Sequence, residues 1–190
     1  MVGRARLAPP AAPTESRWPH HRLQYSSVDA THMVSGERRL DAENYLASGF
    51  GIRLAIEKQP DGWVRFGQLA DAWAPPRIKQ VFVAREHGTP YLNTSQVFDV
   101  RPSPRKWLAR ERTSKAEDRM ASAGTILVMA SASPGRATLV TKAHEAAFIS
   151  HHFMRIEPTQ AKLAGWLYGF LISRAGQAML KGSQYASITR

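Results

Sequence analysis

Two apolar runs joined by a turn decide the fold of this chain: Thr125-Ile-Leu-Val-Met-Ala130 and Ala137-Thr-Leu-Val-Thr141. Both runs have the length and the β-branched content of strands. Between them, Ser133-Pro-Gly-Arg136 places Pro134 and Gly135 at the two central positions of a type II turn, the second of which requires a positive φ. The sequence therefore predicts an antiparallel hairpin.

Further strands are predicted on both sides of the hairpin. Before it, Val81-Phe-Val83 has the β-branched and aromatic character of a strand, and Trp63 to Trp73 predicts a strand followed by a short helical turn. After it, Phe148-Ile149 and Phe153-Met-Arg-Ile156 predict one or two more strands.

Two helices are predicted, and a third segment is ambiguous. Ser114-Lys-Ala-Glu117 matches a capping box, so a short helix is expected to run to Ser122. Near the end of the chain, an apolar stripe at helical spacing predicts a long amphipathic helix that ends near Gly182. Residues 52–57 carry apolar side chains at every second position, which fits a half-buried strand or a short helix. The stripe of the long helix consists of Leu163, Trp166, Leu167, Phe170 and Leu171.

The β-rich part of the chain precedes the long helix, so the predicted fold class is α+β. We expect a single domain over residues 36–190, with a small twisted β-sheet or hairpin core and a long C-terminal amphipathic helix. Residues 1–35 are rich in Pro and small side chains and have no period of 2 or 3.6. They are predicted to form a disordered tail, because such a segment buries too little apolar surface to offset its ordering entropy.

The chain is strongly basic. Its 190 residues include 26 Lys and Arg against 15 Asp and Glu, which gives a formal net charge of +11. Nucleic acid is the commonest partner of such a protein, because each neutralised phosphate releases counterions. An anionic membrane and a basic surface without a partner are the alternatives. The sequence has no basic amphipathic helix and no apolar run of membrane-spanning length, so no membrane contact is expected.

Several kinds of catalytic chemistry are missing from the sequence. Cysteine is absent, which excludes disulfides, thiolate nucleophiles and Cys-ligated zinc and suits a cytoplasmic location. There is no phosphate-binding P-loop, no dinucleotide fingerprint and no Gly-x-Ser-x-Gly nucleophile elbow, so no cofactor is expected.

Histidines are the remaining candidates for a metal site. His144, His151 and His152 could bind a metal with Glu145, as in a small nuclease. The missing carboxylate cluster argues against a nuclease, and adjacent histidines in a strand point to opposite faces. A solvated or phosphate-facing role is therefore expected for them.

Basic side chains crowd the segment between residues 77 and 119, with Trp107 among them. Pro102 and Pro104 exclude a regular helix whose exposed face would account for these charges, so a phosphate-contacting loop is predicted, with a solvated loop as the alternative. The basic residues are Arg77, Lys79, Arg85, Arg101, Arg105, Lys106, Arg110, Arg112, Lys115 and Arg119.

Polar side chains at two turns are further candidates for DNA contacts. Arg136 is placed at the predicted hairpin tip, where a side chain can enter a groove. Asn93-Thr-Ser-Gln96 follows a predicted strand, and Asn and Gln side chains can pair with adenine edges. The same run can equally form a turn that is stabilised by hydrogen bonds from its side chains to the backbone.

Six segments occur in a recognisable order along the chain: Gly88-Thr-Pro-Tyr-Leu-Asn-Thr-Ser95, Ala123-Gly-Thr-Ile-Leu-Val128, Ser133-Pro-Gly-Arg-Ala-Thr-Leu-Val140, Phe148-Ile-Ser-His-His-Phe-Met-Arg-Ile156, Gly165-Trp-Leu-Tyr-Gly-Phe-Leu171 and Leu180-Lys-Gly-Ser-Gln-Tyr185. Together they resemble the target recognition domain of the specificity subunit of type I restriction-modification systems. The resemblance covers roughly residues 36–190.

This resemblance implies a non-catalytic module that recognises one half of a split duplex target. It implies double-stranded DNA, methyltransferase (modification) subunits acting on adenine, and a restriction subunit as partners. Together with the basic segment, it gives one set of candidate DNA-binding residues: Arg77, Lys79, Thr94, Ser95, Arg101, Arg105, Lys106, Arg110, Arg136, Lys181, Ser183, Gln184 and Tyr185.

Alternatives to this assignment remain at the level of the sequence. Full specificity subunits carry two such domains joined by spacer helices, so this chain is expected to be a fragment or a single-domain half subunit. A similar domain also occurs in single-chain restriction-methylation enzymes. A third alternative is a protein-interaction module that docks a partner on the face of Trp166 and Phe170.

Overall fold

The computed structural model describes residues 27–35, 44–45, 48–77, 79–130 and 135–182. Its helices are α1 (Ala30–Ser35), α2 (Ser48–Glu57), α3 (Ala164–Ile172) and α4 (Arg174–Gly182). Its strands are β1 (Ala70–Trp73), β2 (Phe82–Val83), β3 (Thr89–Leu92), β4 (Lys106–Leu108), β5 (Ile126–Met129), β6 (Ala137–Leu139), β7 (Phe148–Ile149) and β8 (Phe153–Pro158). The strands precede α3 and α4, which confirms the α+β class.

The predicted hairpin forms one side of the first sheet, with β5 inside the sheet and β6 at its edge. Strands β5 and β6 pair antiparallel, with Val128 opposite Ala137. Gly135 has a φ of 88°, the left-handed conformation that the turn requires of a glycine. The other residues of the turn, 131–134, lie outside the described residues. The hairpin of the sequence is thus present, with its glycine in the expected conformation.

The first sheet has the order β1-β8-β5-β6, and all of its pairs are antiparallel. Both faces of the sheet are covered at β5, where every residue is apolar and buried. Ile126 and Val128 belong to a cluster with Leu167 and Leu171 of α3. Leu127 and Met129, on the opposite side of the strand, belong to a cluster with residues of the second sheet. Helices therefore cover one face of this sheet, and the second sheet covers the other.

The second sheet has the order β2-β4-β3-β7, in which only β3 and β7 pair in parallel among the described strands. Leu92 and Ile149 face the cluster between the sheets. Tyr91, Leu108 and Phe148 form a separate cluster. Ala116 and Met120 pack against that cluster from the loop that carries the later basic residues, so the loop is attached to the second sheet.

The predicted long C-terminal helix is divided into two helices of nine residues each. Ser173 has an extended ψ of 162° and ends α3. Its hydroxyl donates to the carbonyl of Phe170 (2.6 Å) and accepts from the backbone N–H of Gly176 (3.1 Å), so it also caps the start of α4. A Cβ at Gly176 would overlap the carbonyl oxygen of Phe170, which explains the glycine at this sharp corner.

Three other local predictions differ from the structure. Residues 52–57 lie within α2, so the helical alternative is right. The predicted helix from Ser114 to Ser122 is only a 3-10 turn, Glu117–Arg119, because Lys115 has a positive φ of 50° that a helix does not allow. In the segment after Trp63, the turn comes first and strand β1 second, in the reverse of the predicted order. Helix α1 lies at the end of the predicted tail.

Helix α2 packs on α4 through a glycine. A Cβ at Gly49 would overlap the carbonyl oxygen of Ala178 and would lie 2.9 Å from the Cα of Met179. Replacing Gly49 by Ala is therefore expected to lower the free energy of unfolding by about 1–3 kcal/mol, because the two helices must separate. Thermal or urea unfolding would measure the change.

Gly51 provides the matched control on the same helix. A Cβ there meets no atom within 4 Å. Gly51→Ala is expected to raise the free energy of unfolding by about 0.5–1 kcal/mol through helix propensity. Equal effects of the two substitutions would contradict the contact between α2 and α4.

Candidate nucleic-acid interface

The described residues on either side of position 78 are fixed by hydrogen bonds. The Arg119 guanidinium donates to the carbonyl of Pro76, and the Gln80 side-chain amide donates to the Tyr91 hydroxyl (3.3 Å). The carbonyl of Val81 then accepts from the backbone N–H of Ala109 (2.9 Å). Arg77, next to Pro76, and Lys79, next to Gln80, are both exposed. Two of the predicted DNA-binding residues thus adjoin anchored residues at the surface.

Two cations on or next to the second sheet lie over aromatic rings. The Lys106 Nζ lies 4.9 Å from the ring centroid of Phe82, and the Arg85 Cζ lies 5.8 Å from that of Trp107. Phe82 is 47% exposed although it is a large apolar residue. These cation–π contacts orient the charges at the surface without neutralising them.

Most charges of the basic segment have no carboxylate partner among the described residues. Within the described part of the chain, Arg110 is the one residue of the segment that forms an ion pair, with Glu117. Arg101 and Arg105 are exposed, on the loop that precedes β4. Because the ion pair between Arg110 and Glu117 is exposed, it is weak, and another anion can replace Glu117 at Arg110. The segment therefore presents positive charge to the solvent.

Arg155, in the middle of β8, is 1% exposed and is the largest of the fully buried side chains among the described residues. Its guanidinium donates to the carbonyls of Asp118 and Arg119 (2.8 Å to the latter), and its Cζ lies 5.0 Å from the ring centroid of Trp73. These donors fix the 3-10 turn Glu117–Arg119 onto the first sheet. Arg155 is thus a structural residue rather than a surface contact.

Arg119 is buried as well, with 3% exposure, although the charge pattern grouped it with the exposed loop cations. Burial lowers the pKa of Arg119, and burial together with the nearby charge of Arg119 lowers the pKa of Arg155 to about 10. Both side chains remain protonated at neutral pH. Two positive charges therefore lie beneath the surface that carries Arg77, held mainly by backbone carbonyl dipoles.

Arg136 lies elsewhere, on the turn between β5 and β6. Its Cζ is 3.8 Å from the ring centroid of Phe98, which itself contacts Phe153 in the core. Gln177 of α4 donates to the carbonyl of Gly135 (2.7 Å) and holds the turn from the other side. Stacking on a ring engages the face of the guanidinium and leaves the N–H groups along its edge available to a base.

The polar run after β3 forms the stabilised turn that was the alternative to base recognition. The Asn93 side-chain oxygen accepts from the backbone N–H groups of Ser95 (3.1 Å) and Gln96 (3.1 Å), and the Gln96 amide donates to the carbonyl of Ser103. Asn93 and Gln96 therefore support the loop. Thr94 is half-buried, and the exposed Ser95 donates its hydroxyl to Asn93 Oδ1 (2.8 Å).

The histidines form no metal site in the described residues. Groups of three or more His, Cys, Asp or Glu side chains that could hold a metal ion are not found there. His144 is buried, and its ring nitrogens contact Thr141 and the carbonyl of Val97 (3.0 Å), which is a structural role. Glu145 accepts from the backbone N–H of Ala123 (2.9 Å).

The last group of candidates lies at the end of the chain. Lys181 is exposed in the final turn of α4. Ser183, Gln184 and Tyr185 lie outside the described residues. The roles of this group stay predictions.

Two organising residues were missed by the sequence reasoning. Arg155 stands between apolar residues in a strand pattern, and Arg119 ends a short acidic run. An arginine inside an otherwise apolar strand is the signal that could have identified the first of them, because a charge in such a place needs a structural partner. No comparable signal marks Arg119.

No family model matches this sequence, and no curated protein matches it. Among solved structures, the chain is similar to the HsdS subunit from Thermoanaerobacter tengcongensis, with 19% identity and a TM-score of 0.39. The aligned region covers 78% of this chain and 42% of that one. This chain spans less than half the length of that subunit.

Within the described ranges, no helix has the length and apolar character needed to cross a membrane.

The anchoring role of Arg155 can be tested by substitution. Arg155→Met retains most of the side-chain volume but removes the donors to the carbonyls of Asp118 and Arg119. The free energy of unfolding is expected to fall by about 2 kcal/mol or more, because buried carbonyls without a donor are costly. Urea unfolding measures this loss.

Hydrogen exchange locates the same effect. Faster exchange is expected at residues 117–119 in Arg155→Met. The control is Arg85→Met, which removes an exposed cation from the ring of Trp107 and is expected to cost less than about 1 kcal/mol. An Arg155→Met variant as stable as the control would contradict the anchoring role.

Proposed function

We propose that this chain is a non-catalytic, sequence-specific DNA-binding module of a type I restriction-modification system, which recognises one half of a split duplex target. The observation that carries the proposal is a set of cations in the basic segment that are exposed and form no ion pair among the described residues, including Arg77, Lys79, Arg105 and Lys106. A surface of this kind neutralises backbone phosphates and releases their counterions.

Positioning and recognition are assigned to different parts of the surface. Phosphate contacts set the register of a protein on the duplex but carry no direct sequence information. Arg136 is suited to base recognition, because its guanidinium is pre-oriented on Phe98 with its edge free for the O6 and N7 atoms of guanine. The residues of the basic segment are suited to phosphate contacts.

The parent complex is part of the same proposal. We assign methyltransferase subunits and a restriction subunit as protein partners, and the cytoplasm as the location. The chain itself is proposed to need no cofactor. A target recognition domain within a single-chain restriction-methylation enzyme would use the same surface and differs only in its parent protein.

One observation favours a second candidate function, a protein-interaction module. Trp166 is 61% exposed on α3, and its ring stacks on that of Phe170 at 5.9 Å. The apolar stripe of the predicted helix is thus divided, with Leu167 and Leu171 in the core and the two aromatic rings outside it. In a specificity module, this face would serve assembly with other subunits.

The proposed function is tested by selecting duplexes from a random pool with the purified chain, at low salt and near physiological salt. Enrichment of a short motif that persists at the higher salt is expected. Arg136→Ala is expected to lose preference at one guanine of that motif, by about 1–3 kcal/mol, while still binding DNA. Absence of DNA binding at both salt concentrations would reject the proposal and favour the interaction module.

The basic segment is tested by removing two of its charges, at and just before the start of β4. Arg105→Ala with Lys106→Ala is expected to weaken binding to every duplex alike and to flatten the salt dependence, since the slope scales with the number of neutralised phosphates. Filter binding or anisotropy over a salt series measures the slope.

Lys162→Ala is the control for net charge, because Lys162 is exposed on the 3-10 turn before α3. It is expected to leave the slope nearly unchanged. A double variant with the wild-type slope would place Arg105 and Lys106 outside the DNA interface.

A further inference from the structure

Four basic or titratable side chains come from three separate parts of the chain and lie close enough for the charges of Arg77, Arg119 and His152 to act on His151. Arg77 follows β1, Arg119 ends the 3-10 turn that Arg155 anchors, and His151 and His152 form the turn between β7 and β8. The two imidazole rings lie 4.2 Å apart, centroid to centroid. Arg119 is bonded to the carbonyl of Pro76, next to Arg77. We refer to these four residues as the basic corner.

The basic corner contains buried nitrogens without a hydrogen-bond partner among the described residues. The buried side-chain nitrogens of this kind are Arg53 Nε, Arg119 Nε, His151 Nδ1 and Arg155 Nε. Two of these atoms belong to the basic corner, and Arg155 lies behind it. Unsatisfied buried groups are uncommon in folded proteins, and the binding of an ion nearby is one explanation for them.

The charges around this position are strongly unbalanced. The side chains that act electrostatically on His151 are His152, Arg119 and Arg77, and none of them is acidic. Asp118 and Glu157 are the carboxylates that act on the neighbouring buried arginines, with Asp118 acting on both and Glu157 on Arg155. Positive charge therefore concentrates where Arg77 and His151 reach the surface, and an anion with several acceptor oxygens fits this arrangement.

We propose that the basic corner binds one backbone phosphate of duplex DNA, and that His151 takes up a proton when this phosphate binds. The inference rests on the proposed DNA-binding function and assigns to it a specific contact. Arg77, which is exposed, and His151, which is half-buried, make the direct contacts. Arg119, buried beneath them, adds a fixed positive charge and keeps the backbone of Arg77 in place.

The direction of the pH dependence follows from the free protein. Burial, followed by the charges of His152, Arg119 and Arg77, lowers the pKa of His151 below the ordinary value for histidine. The ring is therefore neutral at neutral pH. A backbone phosphate stays anionic throughout this range, and an opposite charge favours the protonated ring, so the pKa of His151 is higher in the complex. Affinity then increases as pH falls, and levels off once the ring is protonated in the free protein too.

The test measures the dissociation constant of the full chain for one duplex between about pH 5.5 and 8, the range in which histidine titrates, at constant ionic strength. Binding is expected to tighten toward low pH by at most about tenfold per pH unit, the limit for one coupled proton. Titration calorimetry in two buffers of different ionisation enthalpy gives the number of protons taken up, without any variant.

Substitutions assign the proton and the contact. His151→Gln is expected to flatten the pH dependence, whereas the control His87→Gln, at an exposed histidine of the 3-10 turn Arg85–His87, keeps it. Arg77→Gln is expected to weaken binding at every pH and to lower the salt slope by about one phosphate contact. Both positions are at least partly exposed, and thermal unfolding verifies that the variants are folded.

Each of the following outcomes would contradict a different part of the proposal. A wild-type chain that binds DNA without proton uptake overturns the role of His151, as does a His151→Gln variant with the wild-type pH dependence. An Arg77→Gln variant with unchanged affinity and salt slope overturns the phosphate contact. A wild-type chain that binds no duplex at any pH rejects the proposed function itself.

Discussion

A buried guanidinium, that of Arg155, connects the parts of this structure. It stands on an inner strand of the first sheet, and its donors reach across to the carbonyls of Asp118 and Arg119. Arg119 in turn holds Pro76. A charge in the interior is tolerated only when dipoles or counter-charges surround it, and here carbonyl groups and the ring of Trp73 do so. The exposed basic surface thus depends on a cation that solvent does not reach.

The strands of the hairpin and after it were predictable because their signals are local, but β4 lies in a segment that the sequence predicted to be a loop, and β1 follows the turn that it was expected to precede. The hairpin of β5 and β6 needs only two apolar runs and a glycine with positive φ, and all of these are visible in the sequence. The helices were less predictable, since their limits depend on local hydrogen bonds and backbone angles that the apolar pattern does not show. Ser173 divides one apolar stripe into two helices by bonding to both sides of the corner. Helix α2 has apolar side chains at every second position in residues 52–57, which did not distinguish a strand from a helix, and it packs on α4 through a glycine.

Some features of the candidate site could likewise be predicted from the sequence, and others could not. Exposure of Arg77, Lys79, Arg105 and Lys106 could be predicted, since long cations are rarely buried without partners. Burial of Arg119 could not, because nothing in its neighbourhood distinguishes it from the exposed arginines of the same loop. The polar run at Asn93 was open to two interpretations from sequence, and only the hydrogen bonds of the turn decide in favour of a supporting role for Asn93 and Gln96.

The position of β8 in the first sheet affects how the molecule is made. This strand is late in the sequence but pairs with β1 on one side and β5 on the other. During synthesis, β1, which is at the edge of the sheet, therefore stays unpaired until residues 74–152 and then β8 have been synthesised. The 3-10 turn that Arg155 anchors needs the same strand. A ribosome-bound chain that ends before β8 can form the β5–β6 hairpin but lacks the strand that joins this hairpin to β1 and lacks Arg155, so its basic segment emerges before the residue that anchors it.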